Sequence, residues 1–153
     1  MRVLAFDPGY ERLGVAVLEK DLLLFSDCIR TSSKLEFYER LAQLGKEAER
    51  LIKKWHPDAV ALEQIFFEKN AKTAMQVAEV RGMLAYVAAG KGIAVLQFAP
   101  AAVKVAITGY GKSDKRAVSS MVLRLLNLKT DRRRLDDEMD AIAVGITCLA
   151  SLR

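Results

Sequence analysis

The sequence predicts an α/β fold, a mixed central β-sheet flanked by α-helices, and three observations carry that reading. Three strand-like runs crowd the first 30 residues, at Arg2–Phe6, Gly14–Leu18 and Leu22–Ile29. Two later apolar runs, Ala59–Leu62 and Ile93–Phe98, each follow a segment of helical character. The order is therefore three strands, helix, strand, helix, strand, helices, which calls for a sheet covered by helices. At 153 residues the chain has the length of one ordinary domain, and no repeat, low-complexity run or linker divides it, so a single domain over residues 1–153 is expected.

Each element has a local reason. Glu19, Lys20 and Asp21 form the polar connection between the second and third strands. Leu35, Tyr38, Leu41, Leu44, Ala48, Leu51, Ile52 and Trp55 recur at spacings of three and four, one stripe of a long amphipathic helix that Pro57 stops. Ala59–Leu62 is a compact buried strand ending at Glu63. Asn70 is placed to cap a helix over Ala71–Ala89, whose alanines permit close approach, and Gly90 and Gly92 end it. Pro100 opens a short helix interrupted at Gly109–Tyr110–Gly111. Ser113 is placed to cap a helix running through Leu126, and a last helix is expected from about Asp136 to Leu152.

Composition narrows the class. With 52% hydrophobic residues the chain can fill a core, which excludes a disordered tail. No uncharged apolar run of about 20 residues and no leader pattern after Met1 is present, so no membrane segment is expected. Cys28 and Cys148 lack metal-ligand spacing and His56 is the lone histidine, which removes structural zinc. Both cysteines read as core thiols, a disulfide between them being the alternative, and a cytoplasmic location fits best.

The formal charge of +5 is unevenly spread. Residues 101–135 hold nine basic side chains against Asp114 and Asp131, a local +7, whereas the rest of the chain balances at −2. A polyanion is one partner for such a segment; a solvated helix face with an ordinary basic loop is the other reading. Gly111–Lys112–Ser113 resembles the end of a phosphate-binding loop, but Ala106 stands where that loop needs glycine and no strand precedes it.

Four carboxylates stand at the ends of elements. Asp7 closes the first strand and Glu63 closes Ala59–Leu62 in the same way. If those strands are neighbours, the two side chains meet, and buried like charges require a proton or a cation. Asp137 and Asp140 lie three apart at the start of the last helix and share a face. Oxygen donors without histidine suit Mg2+ or Mn2+, and paired ions of this kind serve phosphodiester hydrolysis. Taken singly, Asp7 could cap a turn, Glu63 could end a surface strand, and Asp136 or Asp137 could simply favour a helix N-terminus.

Phe6–Asp7–Pro8–Gly9 with Gly14, then Leu62–Phe67 with Asn70, then Arg81–Gly82, then Asp137–Glu138–Met139–Asp140–Ala141 resemble, in that order, the RuvC family of Holliday-junction endodeoxyribonucleases within the ribonuclease-H-like superfamily. The resemblance spans essentially the whole chain. It implies a ribonuclease-H-like fold and a magnesium-dependent, structure-selective endonuclease that uses two ions per site. It further implies Asp7, Glu63, Asp137 and Asp140 as catalytic metal ligands, with Lys104 and Lys115 as basic residues serving the reaction. A homodimer would set two such sites on a four-way DNA junction and make paired symmetric nicks, with a branch-migration motor as a further partner.

For DNA contact the resemblance points to Phe66 stacking on a base, with core burial as the alternative, and to Asn70, Arg81, Lys104 and Lys115. Tyr110 and Lys112 on their glycine-flanked turn, and Arg116 beside Lys115, complete the expected basic surface. The Asp131–Arg134 stretch is more basic than the usual family loop, and Asp136 beside Asp137 leaves one residue of ambiguity in the ligand set. The competing functions are a related nuclease acting on structured RNA, a non-catalytic junction-binding protein, and a fragment of an ATPase or sugar kinase.

Overall fold

A computed structural model describes residues 1–9, 11–65, 71–129 and 132–152. Its elements are β1 (Arg2–Pro8), β2 (Arg12–Glu19), β3 (Leu22–Arg30), α1 (Phe37–Trp55), β4 (Ala59–Glu63), α2 (Ala71–Ala89), β5 (Ala94–Phe98), α3 (Pro100–Thr108), α4 (Lys115–Leu125) and α5 (Asp136–Ser151). The sheet order is β3-β2-β1-β4-β5. β1, β2 and β3 form an antiparallel meander, while β4 and β5 run parallel to β1. The expected mixed sheet is therefore present, with β1 at its centre.

Strand alternation divides the core between the two faces. Val3, Ala5, Ala16, Leu18 and Ala61 pack against α3, α4 and α5 through Val103, Val122, Ile142 and their neighbours. Leu4, Phe6, Val15, Val17, Val60 and Leu62 pack on the other side against Leu44, Leu51 and Ile52 of α1 and Val80 and Leu84 of α2. Small residues set the depth of α5: a methyl group on Gly145 would lie 3.3 Å from the Ala5 Cβ, so helix and sheet nearly touch.

Some local expectations shift. Asp114, not Ser113, caps α4, its carboxylate accepting from the Ala117 amide; Ser113 instead shares a hydrogen bond with the Thr108 hydroxyl across the α3–α4 turn. α1 starts at Phe37, leaving Leu35 outside it, and Tyr38 of the proposed stripe is 70% exposed. The Asn70 cap lies outside the described residues. Cys28 and Cys148 are free thiols, which answers the disulfide question, and burial pushes the Cys148 thiol up to about 11. Among the described residues no helix is long and apolar enough to cross a membrane.

Candidate active site

The sheet brings the first two carboxylates together. β1 and β4 are parallel and in register through the Phe6–Leu62 pair, so Asp7 and Glu63 are the next residue on each strand. Both continue the alternation of Ala5 and Ala61 and so project on the α5 side. Their carboxyl groups lie close enough that each acts on the other's ionisation. Two acids this close share a proton more readily than they both ionise.

The first turn of α5 supplies the other two. Its N-terminus crosses β2 beside Gly14, which pairs with Asp7 on one side and Cys28 on the other. With no side chain on Gly14 the Asp137 backbone comes down onto the strand, and Asp137 and Asp140 project one helical turn apart. Asp137 is among the charges acting on Asp7, and Asp136 and Asp137 both act on Asp140.

The electrostatics express this crowding. Asp7 is held well above the ordinary carboxylate range, first by burial and then by the charges of Glu63, Asp140 and Asp137. Glu63 is raised by burial and by Asp140, against the lowering effects of its Asp7 hydrogen bond and of Lys115 and Lys104. Asp140 is raised by burial, which outweighs its neighbour Lys115. Burial is the largest single influence on Lys115 and pulls its pKa down, but Asp140, Asp136 and Asp7 together leave it raised.

Two cations partly answer the negative charge. Lys115 Nζ donates to Asp140 Oδ2 at 3.2 Å, and Arg12 Nη1 lies 3.8 Å from Asp137 Oδ2. Lys115 lines two cavities at once: one of about 290 Å³ shared with Glu63, Lys104 and Asp140, and one of about 390 Å³ shared with Arg12, Asp136 and Asp137. The expected lysines thus meet the carboxylates. Arg12 is a residue that sequence reasoning missed; its signal was its place between Gly9 and Gly14, at the start of the strand that returns beside Asp7. Cys28 was missed as well, its thiol 4.0 Å from Asp137 Oδ2.

The other expected contacts are dispersed. Tyr110, Lys112 and Arg116 are exposed around the α3–α4 turn, on the same side of the sheet as the carboxylates. Arg81 is elsewhere: on α2, across the sheet, its guanidinium donates to the Gln97 side chain of β5. Phe66 and Asn70 lie outside the described residues.

Among the described residues no three acidic, histidine or cysteine side chains converge closely enough to hold an ion as they stand. Asp140 is paired with Lys115 and Asp137 with Arg12. The donor set nevertheless suits a hard divalent cation: all oxygen, largely buried, and with acids raised by their mutual repulsion.

Comparison with known proteins decides the family. The family model for crossover junction endodeoxyribonuclease RuvC matches residues 3–148. The chain belongs to the RuvC family. It is 44% identical to a RuvC crossover junction endodeoxyribonuclease of Thermosipho melanesiensis, over 98% of this chain and 97% of that protein. A RuvC of Ruminiclostridium cellulolyticum is 38% identical, over 95% of this chain and 90% of the other. Among solved structures, Thermus thermophilus RuvC in complex with a Holliday junction superposes with a TM-score of 0.93 at 29% identity, over 100% of this chain and 95% of that one. The ribonuclease-H-like architecture of RuvC is thus the fold of this chain. The yeast mitochondrial resolvase Ydc2 shares that fold, with a TM-score of 0.70 at 13% identity over 95% of this chain and 76% of that one.

Proposed function

We propose that this RuvC-family chain is a magnesium-dependent, structure-selective endonuclease that resolves four-way DNA junctions, with Asp7, Glu63, Asp137 and Asp140 as its catalytic carboxylates. One observation carries the assignment of the site: two acids on adjacent parallel strands face two acids on one helical turn, in a cleft edged by Lys104 and Lys115. When bound, Mg2+ supplies the positive charge and the water activation that phosphodiester hydrolysis needs, two ions per site being the reading we favour and Mn2+ a substitute.

The chain's own residues do the rest. Asp7 and Glu63, whose raised pKa values reflect burial and mutual repulsion, would release their protons to solvent on forming an oxygen cradle, which Asp137 and Asp140 would close from the helix side. Lys115 and Lys104 hold positive charge beside the position where a phosphate enters, stabilising the charge that grows during cleavage. Tyr110, Lys112 and Arg116 track the backbone nearby, with Phe66 and Asn70 as further DNA contacts. A homodimer carrying two such clefts would make paired symmetric nicks, in concert with a branch-migration motor; the exposed Met75 and Tyr86 of α2 offer apolar surface for a partner copy.

The test is cleavage of a mobile four-way junction with and without Mg2+ by wild type and Glu63→Gln, mapping both nicks. Linear duplex and structured RNA serve as comparison substrates. Symmetric, metal-dependent nicks that Glu63→Gln abolishes while junction binding persists are expected. Clean cutting of RNA with none of the junction would overturn the substrate assignment, and binding without cutting would leave a junction-binding protein.

A further inference from the structure

Glu138 lies between Asp137 and Asp140 in sequence, yet it is 2% exposed and turns toward β3 instead of the cleft. The Ser26 hydroxyl donates to its Oε1 at 2.6 Å. Arg132 grips both oxygens, through Nη2 to Oε1 and through Nη1 to Oε2 at 3.3 Å. The same Nη2 reaches the Ser26 carbonyl at 3.4 Å and its hydroxyl at 3.2 Å. Arg134 closes the other side, Nε 3.7 Å from Oε1, with its side chain only 12% exposed. A buried carboxylate is tolerated when paired in this way: Arg132 is held to Glu138 by hydrogen bonds, and Arg134 by charge alone, its buried Nε making no hydrogen bond. Arg133, between them, is exposed; Arg132 is half exposed too, but its guanidinium is already turned onto Glu138 and Ser26.

This alters the meaning of the basic segment. The +7 of residues 101–135 stops three residues short of the acid that answers two of its charges. We propose that Glu138 is a positioning residue: it fastens Arg132 and Arg134 to β3, so that the first turn of α5 presents Asp137 and Asp140 to the cleft and Arg133 alone of the arginine run meets the DNA backbone. The inference rests on the junction-cleaving reading and deepens it by dividing one arginine run into two fastened residues and one recognition residue.

The experiment measures junction binding as a function of salt, and single-turnover cleavage at saturating enzyme, for wild type, Glu138→Gln, Arg132→Ala and Arg133→Ala. Glu138→Gln frees positive charge while loosening the helix start. It should bind the junction more tightly, with a steeper salt dependence by about one or two phosphate contacts, and yet cleave at least tenfold more slowly. Arg133→Ala should lower the salt slope by about one contact, and Arg132→Ala should leave it unchanged. Parallel loss of binding and cleavage in Glu138→Gln would reduce the residue to packing, and no change in either would remove its role. Should Glu138→Gln not fold, equal salt slopes for Arg133→Ala and wild type would still overturn the division. Wild type that binds without cutting would defeat the function itself; wild type that cuts normally beside an unaffected Glu138→Gln would defeat only this inference.

Discussion

Gly14 supports Asp137 by having no side chain: a methyl group built on it would lie 1.9 Å from the Asp137 carbonyl oxygen and 2.5 Å from its carbonyl carbon. Both are backbone atoms that no rotamer change can move. At the start of α5, the approach of the helix to the sheet, and with it the meeting of helix carboxylates and strand carboxylates, depends on this absent side chain.

Gly14→Ala should therefore push the start of α5 off β2. A stability loss of about 1–3 kcal/mol is expected from the overpacking alone, read by thermal or denaturant unfolding. Junction cleavage should fall further than stability predicts, because Asp137 and Asp140 move away from Asp7. Gly145→Ala is the control deeper in the same helix, where the new methyl first meets the movable end of Leu18. Its cleavage rate should fall only in proportion to its stability.

The raised acids make a pH prediction. Asp7, Glu63 and Asp140 hold protons more tightly folded than unfolded, through burial and mutual repulsion. The folded state then binds more protons than the unfolded one as pH rises above the ordinary carboxylate range, so metal-free stability declines through that window toward the raised values of the folded acids. Asp7→Asn should raise the metal-free Tm at neutral pH, by about 2–4 °C for each kcal/mol of repulsion relieved. Adding Mg2+ should raise the Tm of wild type and not of Asp7→Asn. A variant less stable than wild type at neutral pH would show that the strain inferred at Asp7 is absent.

Lys115 separates stability from chemistry. Its pair with Asp140 is largely solvent-exposed on the lysine side, where such contacts are worth about 0–1 kcal/mol. Lys115→Met should leave unfolding within that range while reducing single-turnover cleavage by about 10²-fold, the scale of losing a charge-stabilising group in a reaction site. Cleavage within a few-fold of wild type would assign the lysine to DNA approach alone.

Arg81 tests how far the sequence motif extends into function. Bonded to Gln97 on the face of the sheet away from the carboxylates, it should cost about 1 kcal/mol of stability when changed to alanine, with the salt slope of junction binding unchanged. Lys112→Ala should do the opposite, lowering the slope by about one contact at constant stability. A reduced slope for Arg81→Ala would show that the guanidinium leaves Gln97 to reach phosphate.

Much of the architecture was legible because it is written locally. Short apolar runs bounded by charged or turn residues marked the strands, the three-and-four stripe from Leu35 to Trp55 marked α1 although its first two positions fall outside the helix or on its exposed face, and the spacing of Asp137 and Asp140 placed both on one helix face. Where local signals competed, they misled: Ser113 and Asp114 are both good caps, and only the Thr108 hydroxyl occupying Ser113 shows why Asp114 does the capping. The four carboxylates could be named from sequence, but their meeting could not be derived from it. Asp7 and Glu63 are 56 positions apart, and their contact follows from the parallel register of β1 and β4.

Charge shows the same boundary. Counting side chains along the chain correctly found where positive residues concentrate, since composition is a property of sequence alone. It could not say which of them are free, because Glu138 from α5 and Ser26 from β3 reach Arg132 across 6 and 106 positions of sequence. The sequence by itself determined the elements, the family and the chemical types available to the site. Tertiary structure decided which carboxylates meet, which lysine lies between the two cavities and which arginine is bonded to Glu138, because those depend on separations of a few ångströms between residues remote in the chain.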